Sequence, residues 1–115
     1  MPLITGNKTL TANTARAVVR NIYNYGCVIT VNLLNIGAAN ATYSIAISDG
    51  SQTAPATSEY VHLNRTIAGA GGVVELPGLL VNPGAYLVVS SNSSSVSAYC
   101  YGIGGDTVSY SNDVA

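Results

Sequence analysis

The side chains in this sequence that are able to do chemistry are few: one histidine, two cysteines and five carboxylates. His62 stands in the run Tyr-Val-His-Leu-Asn, with Tyr60 and Asn64 on its own face of a strand and no second His, Cys or carboxylate at ligand spacing. A metal site needs roughly three or four converging ligands, so this imidazole is expected to be a surface or interface residue. Asp49 and Asp106 are the acidic residues in glycine-bearing loops, too sparse for the roughly six to eight oxygens of a calcium cage. The run Gly69-Ala70-Gly71-Gly72 is followed by no Lys-Ser/Thr and opens no helix, so it reads as a turn or a mobile tip, not as a phosphate cradle. One His and scattered carboxylates supply neither an acid–base pair nor an activated nucleophile. The expectation is a protein that is not an enzyme, with no catalytic, cofactor-binding or metal-ligating residues.

Three further sets of residues admit two readings each. Cys27 and Cys100 lie in separate strand-like runs that a sandwich can bring together across its core, either as an inter-sheet disulfide or as two small buried hydrophobes. The lack of a Trp to pack on a bridge, and a reducing compartment, favour the second. Asn7, Asn40, Asn64 and Asn92 each head an Asn-X-Ser/Thr triplet, a pattern that arises by chance in a chain so rich in Asn, Ser and Thr. Tyr99 and Tyr101 share one face of the last strand with Ile103, where an exposed row would stack on sugars or anchor a protein. In a chain without Phe or Trp, the eight tyrosines read equally as its aromatic core.

The elements that must position these residues are strands. Branched apolar residues dominate, and no window keeps apolar residues at helical spacing for three turns. Strands are predicted over residues 15–23, with Val18, Arg20 and Ile22 opposite Ala17, Val19 and Asn21; over 27–36, the most apolar run and the candidate central strand; and over 42–48, where Tyr43, Ile45 and Ile47 alternate with Ser44, Ala46 and Ser48. Another is predicted over 59–67, with Val61, Leu63, Arg65 and Ile67 on one face, and a short one over 73–76. Pro77-Gly78 and Pro83-Gly84 read as turns, and residues 85–91 and 96–103 as a hairpin around Asn92-Ser93-Ser94-Ser95. Seven or eight short strands predict a single-domain, all-β antiparallel sandwich, jelly-roll or immunoglobulin-like, over residues 15–103. Residues 1–14 are expected to form an arm or an edge strand, and 104–115 a polar tail; either is a candidate for reaching a neighbour, even by adding a strand to an exposed sheet edge.

Composition narrows the partners. With 115 residues the chain has room for one domain. Only 8% of them are charged, against about 25% in ordinary domains, and the net charge is −1. Such a surface repels other protein weakly, so a homo-oligomer is expected. Lys8, Arg16, Arg20 and Arg65 are too scattered for a nucleic-acid footprint, and the apolar runs are too short to span a bilayer, so neither nucleic acid nor membrane is an expected partner. The opening Met-Pro-Leu-Ile-Thr-Gly-Asn-Lys lacks the n- and h-regions of a secretory signal, which predicts synthesis and folding in a cytoplasm.

The order of signals over residues 28–103 resembles the small β-sandwich virion proteins of tailed bacteriophages. The likeness is carried by Leu34-Asn35-Ile36-Gly37, by Thr42 to Ser48 before a Pro/Ala/Thr loop, and by Tyr60 leading to Thr66-Ile67-Ala68-Gly69. It continues through Val74-Glu75-Leu76, Leu87-Val88-Val89 with Asn92, and Ser97-Ala98-Tyr99 with Gly102-Ile103. What the resemblance implies is a virion protein made in the host cytoplasm. Its implied role is a capsid decoration, or cement, subunit bound to the major capsid protein. A tail, neck or fibre module is the alternative, binding host glycans through loops 49–57, 69–72 and 92–95 with Tyr60, Tyr86, Tyr99 or Tyr101 as stacking faces.

Overall fold

Period-two patterning governs the backbone. In the structure, a computed structural model that describes residues 3–22, 25–50 and 53–103, eight strands form and the one helical element is a single 3₁₀ turn at Thr57–Glu59. The strands are β1 (Leu3–Thr9), β2 (Arg16–Arg20), β3 (Cys27–Asn35), β4 (Ala41–Ser48), β5 (Tyr60–Ile67), β6 (Gly72–Val81), β7 (Tyr86–Ser91) and β8 (Val96–Ile103). They make two four-stranded antiparallel sheets packed face to face, sheet I in the order β1-β8-β3-β6 and sheet II in the order β2-β7-β4-β5.

The pairs β1·β8, β2·β7, β3·β6 and β4·β5 are all present, so the chain is one nested hairpin folded at the β4–β5 loop. Rolling that hairpin up adds β3·β8 and β4·β7, which complete the sheets. This is the jelly-roll order, and it decides between the two expected topologies. Every connection crosses between the sheets except β4–β5. Residues 92–95 are therefore an inter-sheet crossing, and the predicted β7–β8 hairpin does not exist. A polar four-residue loop suits either geometry, and the partner of β7 is set by β2 and β4 instead.

The core lies between the sheets and is aliphatic. Ile29, Val31, Leu33 and Val81 from sheet I meet Val19, Ile45, Leu87 and Val89 from sheet II, all fully buried. Cys27 and Cys100 belong to this core as thiols that are not joined in a disulfide. Cys100 lies opposite Val31, four residues along β3 from Cys27, which is about 13 Å of strand and beyond disulfide reach. Leu10 is buried as well, and β1 pairs with β8 along its whole length, so residues 3–10 are an edge strand and its exit, not a free arm. The 104–115 tail lies outside the described residues.

Bulges explain where the predicted faces fail. In β2 a register shift between Ala17 and Val19 puts the consecutive Val18 and Val19 both into the core between the sheets, while Ala17 is buried on the outer face, and the strand ends at Arg20, before Ile22. In β5 two shifts, opposite Tyr43/Ile45 and Ile45/Ala46, break the alternation, leaving Val61 and Leu63 exposed while Ile67 is buried. In β6, Pro77-Gly78 is not a turn but a bulge within one ten-residue strand, opposite Thr30, with Gly78 at φ 74°. Proline is tolerated there because β6 is an edge strand. Pro83-Gly84 is the turn expected, with Gly84 at φ 80° and the Ala85 N–H donating to the Asn82 carbonyl.

Edges are guarded with the chain's few charges. Lys8 lies on β1, Arg16 and Arg20 on β2, and Arg65 on β5, each an edge strand, while the edge β6 carries Glu75 and the proline bulge. Charge, proline and bulges on an edge all obstruct strand addition by another chain.

Candidate functional site

Two buried asparagines fix the ends of the sandwich. At the end holding loops 36–40, 68–71 and 92–95, Asn35 is fully buried at the close of β3. Its Oδ1 accepts from the Gly37 N–H at 3.0 Å and from Ser95 Oγ at 2.9 Å, and its Nδ2 donates to the Ala39 carbonyl at 3.0 Å. The Ala70 and Gly71 N–H groups donate to the Gly37 and Asn35 carbonyls, and Asn40 Oδ1 takes the Gly69 N–H. The Gly69–Gly72 run is thus a fixed tight turn, with Ala70 at φ 58° and Gly71 at φ 90°. At the other end Asn21 Nδ2 donates to the carbonyls of Tyr25 (2.7 Å) and Val81 (2.9 Å). A buried amide with its donors and acceptors met rigidifies what it joins, so the loops at both ends are held by the core.

The candidate reactive residues stay dispersed. His62 is half-buried on β5, its ring 6.2 Å from that of Tyr43, and its buried Nδ1 has no hydrogen-bond partner. Burial pushes the Cys100 thiol up to about 12, which leaves it protonated and unreactive at neutral pH. The Glu59 carboxylate, at the close of the 3₁₀ turn, accepts the Asp49 N–H at 2.9 Å and the Ala56 N–H at 2.8 Å, and these bonds hold it below its ordinary range. It is a staple for the β4–β5 loop. Among the described residues no three of His, Cys, Asp and Glu gather where a metal ion could bind.

What the fold does assemble is surface. On the outer face of sheet I, cross-strand register lines up Leu80, Val28 and Ile103 in one row, and Val73 beside Leu34 in another. All five are exposed. Between the rows lie Asn32, Tyr99 and Tyr101, the last donating to Glu75 at 3.4 Å. Tyr99 and Tyr101 sit 5.9 Å apart, ring to ring, on this face.

The outer face of sheet II is different. Ala17, Ala46 and Val88 form a small buried strip screened by Tyr60 and Tyr86, and the Arg20 guanidinium lies 5.3 Å over the Tyr86 ring. Beside the strip opens a groove of about 300 Å³. Ser44 and Asn64 line it and bond each other, Ser44 Oγ taking the Asn64 N–H at 2.9 Å. Asn13, Thr42, Ser90 and Asn92 supply amides and hydroxyls around it, and Tyr60 its aromatic wall.

Of the described tyrosines only Tyr43 is buried, so the aromatic-core reading gives way to tyrosines on the two outer faces. Of the loops and tyrosines expected to meet a glycan, Thr53, Tyr60 and Asn92 meet at the groove, Gly69–Gly72 is not among its lining residues, and Tyr99 and Tyr101 are on the opposite sheet. The groove has no linear signature, since it draws on segments 13–15, 42–44, 60–64 and 90–92 and on Thr53. Comparison of the chain with protein-family models, with curated proteins and with solved structures finds no match.

Proposed function

We propose that this chain is a non-enzymatic virion subunit of a tailed bacteriophage, a capsid decoration protein that self-associates and seats on the shell through the outer face of sheet I. The carrying observation is that six of the eleven exposed large hydrophobics, Val28, Leu34, Val73, Leu80, Tyr99 and Ile103, occupy that single face. Two apolar rows on one exposed face, bridged by the Tyr99 and Tyr101 rings, are the kind of surface that marks protein contact. The resemblance to phage virion sandwiches points the same way, and the jelly-roll order, shared with viral capsid and lectin domains, adds support at the level of fold analogy.

The face measures about 500 Å², from four strands at about 4.8 Å spacing and roughly eight residues at about 3.3 Å. Two such surfaces bury about 1,000 Å², at the low end for specific interfaces. A contact of that size is weak alone and strong when repeated over a symmetric shell, the regime in which decoration works. The guarded edges favour this face-to-face mode over strand addition.

The test is sedimentation of the chain alone and cosedimentation with undecorated shells, against the double variant Val28→Lys, Leu80→Glu. The expected result is loss of both associations with the fold unchanged by circular dichroism. Undiminished shell binding by the variant, or absence of the chain from purified virions, would sink the proposal.

A further inference from the structure

We propose that the groove on the outer face of sheet II is a binding site for a neutral saccharide unit, independent of the protein contact assigned to sheet I. Its lining is built entirely from uncharged groups: side-chain amides, hydroxyls and the rings of Tyr43 and Tyr60, with Ala15. The side chains of Asn13, Thr42 and Ser90 and the Tyr60 hydroxyl make no hydrogen bond within the described chain. Asn92 is held by its Oδ1, which accepts the Thr42 N–H at 2.9 Å, leaving its Nδ2 for a ligand. Donors and acceptors of both kinds, close together and uncharged, match a polyol, and a tyrosine wall gives the apolar face of a sugar ring a stacking partner. An anion finds no cation in this lining, and an apolar ligand would strand its polar groups. The volume is at the small end of ligand pockets, which suits one or two sugar units.

The backbone supplies a second observation. Asn13 at φ 58° and Asn64 at φ 51° are two of the three non-glycine residues in the left-handed region among those described, and both line this groove. Asn64 also sits at a register shift of β5, and bulges and left-handed residues concentrate where a surface is shaped for a ligand. Asn13 is kept in place by its N–H, which donates to the Ser91 carbonyl at 2.7 Å.

The full-length chain is titrated with glucose, galactose, mannose, N-acetylglucosamine, lactose and maltose to high millimolar concentration, read by amide chemical shifts. Sialic acid and inorganic phosphate serve as anionic probes. The expected result is saturable shifts at residues 13, 42, 64, 90 and 92 for at least one neutral sugar. Ser90→Val, Asn13→Gly and Tyr60→Ala should each weaken it about tenfold or more, the worth of one good contact. Asn13→Gly tolerates the backbone conformation, so loss of binding there is not loss of fold. Val28→Lys on sheet I should leave the titration unchanged, which separates this site from the sheet I proposal. Absence of saturable shifts for every neutral sugar, stronger binding of the anions, or binding undiminished in Tyr60→Ala with Ser90→Val would each overturn the assignment.

Discussion

Replacing Asn35 tests whether one buried amide holds an entire end of the sandwich. Its three short bonds, at 2.9 to 3.0 Å, join β3 to loops 36–40 and 92–95, and a fourth contact to the Ile67 carbonyl at 3.5 Å is too long to add much. At about 1 kcal/mol net each, Asn35→Ala should cost about 3 kcal/mol. For a domain stabilised by roughly 5–15 kcal/mol that is a large fraction, equivalent to about 12 °C in Tm. Asn35→Asp probes the mechanism more closely. The carboxylate keeps both acceptors but turns lone pairs toward the Ala39 and Ile67 carbonyls in a buried site. Its folded-state pKa should therefore rise above the ordinary carboxylate value, since the protonated form regains a donor. A raised pKa contributes stability that is fully present below the unfolded value, about 3.9, and is lost as pH rises through the folded one. Urea unfolding from pH 4 to 8 should show Asn35→Asp weakening steadily while the parent does not follow. A cost below about 1 kcal/mol for Asn35→Ala, or a flat pH profile for Asn35→Asp, would refute the reasoning.

Other expectations follow from single contacts. Glu59 has a depressed pKa, so its bonds to Asp49 and Ala56 contribute above the unfolded value and fade as pH falls through the folded one; Glu59→Gln should speed proteolysis of the 49–59 loop at pH 7 and make little difference near pH 3. Gly78→Ala should cost about 1 kcal/mol, because φ is +74° but the space is open. Gly69→Ala should cost more by chemical denaturation, since a Cβ there would come within 2.6 Å of the Ala38 and Ala39 backbone and force two loops apart. Cys100, buried with its thiol raised to about 12, should react with a thiol reagent at pH 8 only as fast as the core opens, measured against the rate in denaturant.

Strand existence was legible wherever branched residues alternated without interruption, as in Thr42 to Ser48, and wherever a run was apolar enough to be central, as in Cys27 to Asn35. The immunoglobulin alternative remained open because strand order is a long-range property: residues 92–95 carry the same polar punctuation whether they close a hairpin or cross between sheets. Bulges hid for a related reason. Pro77-Gly78 has turn chemistry, and only the pairing of Leu76 with Val31 and Leu79 with Ile29 reveals that the strand runs through it. The exposed rows of sheet I were half visible, since Tyr99, Tyr101 and Ile103 share parity on one strand, while their neighbours Val28 and Leu80 join them only through register. Asn35 and Asn21 gave no warning of their roles, because burial of an amide depends on loops that arrive from elsewhere.

The nested pairing has a consequence for how the molecule assembles itself. Only β4 and β5 can meet by closing a short loop, and each further pair, β3·β6, then β2·β7, then β1·β8, is brought into range by the one inside it. Folding is therefore expected to start at the middle of the chain and zip outward, slowly, as loop-closure entropy dictates for long-range sheets. The final step lays β1 along β8 and completes sheet I. The surface assigned to partner contact is then the last to mature, so an unfinished subunit would present an incomplete face and be passed over by a growing shell.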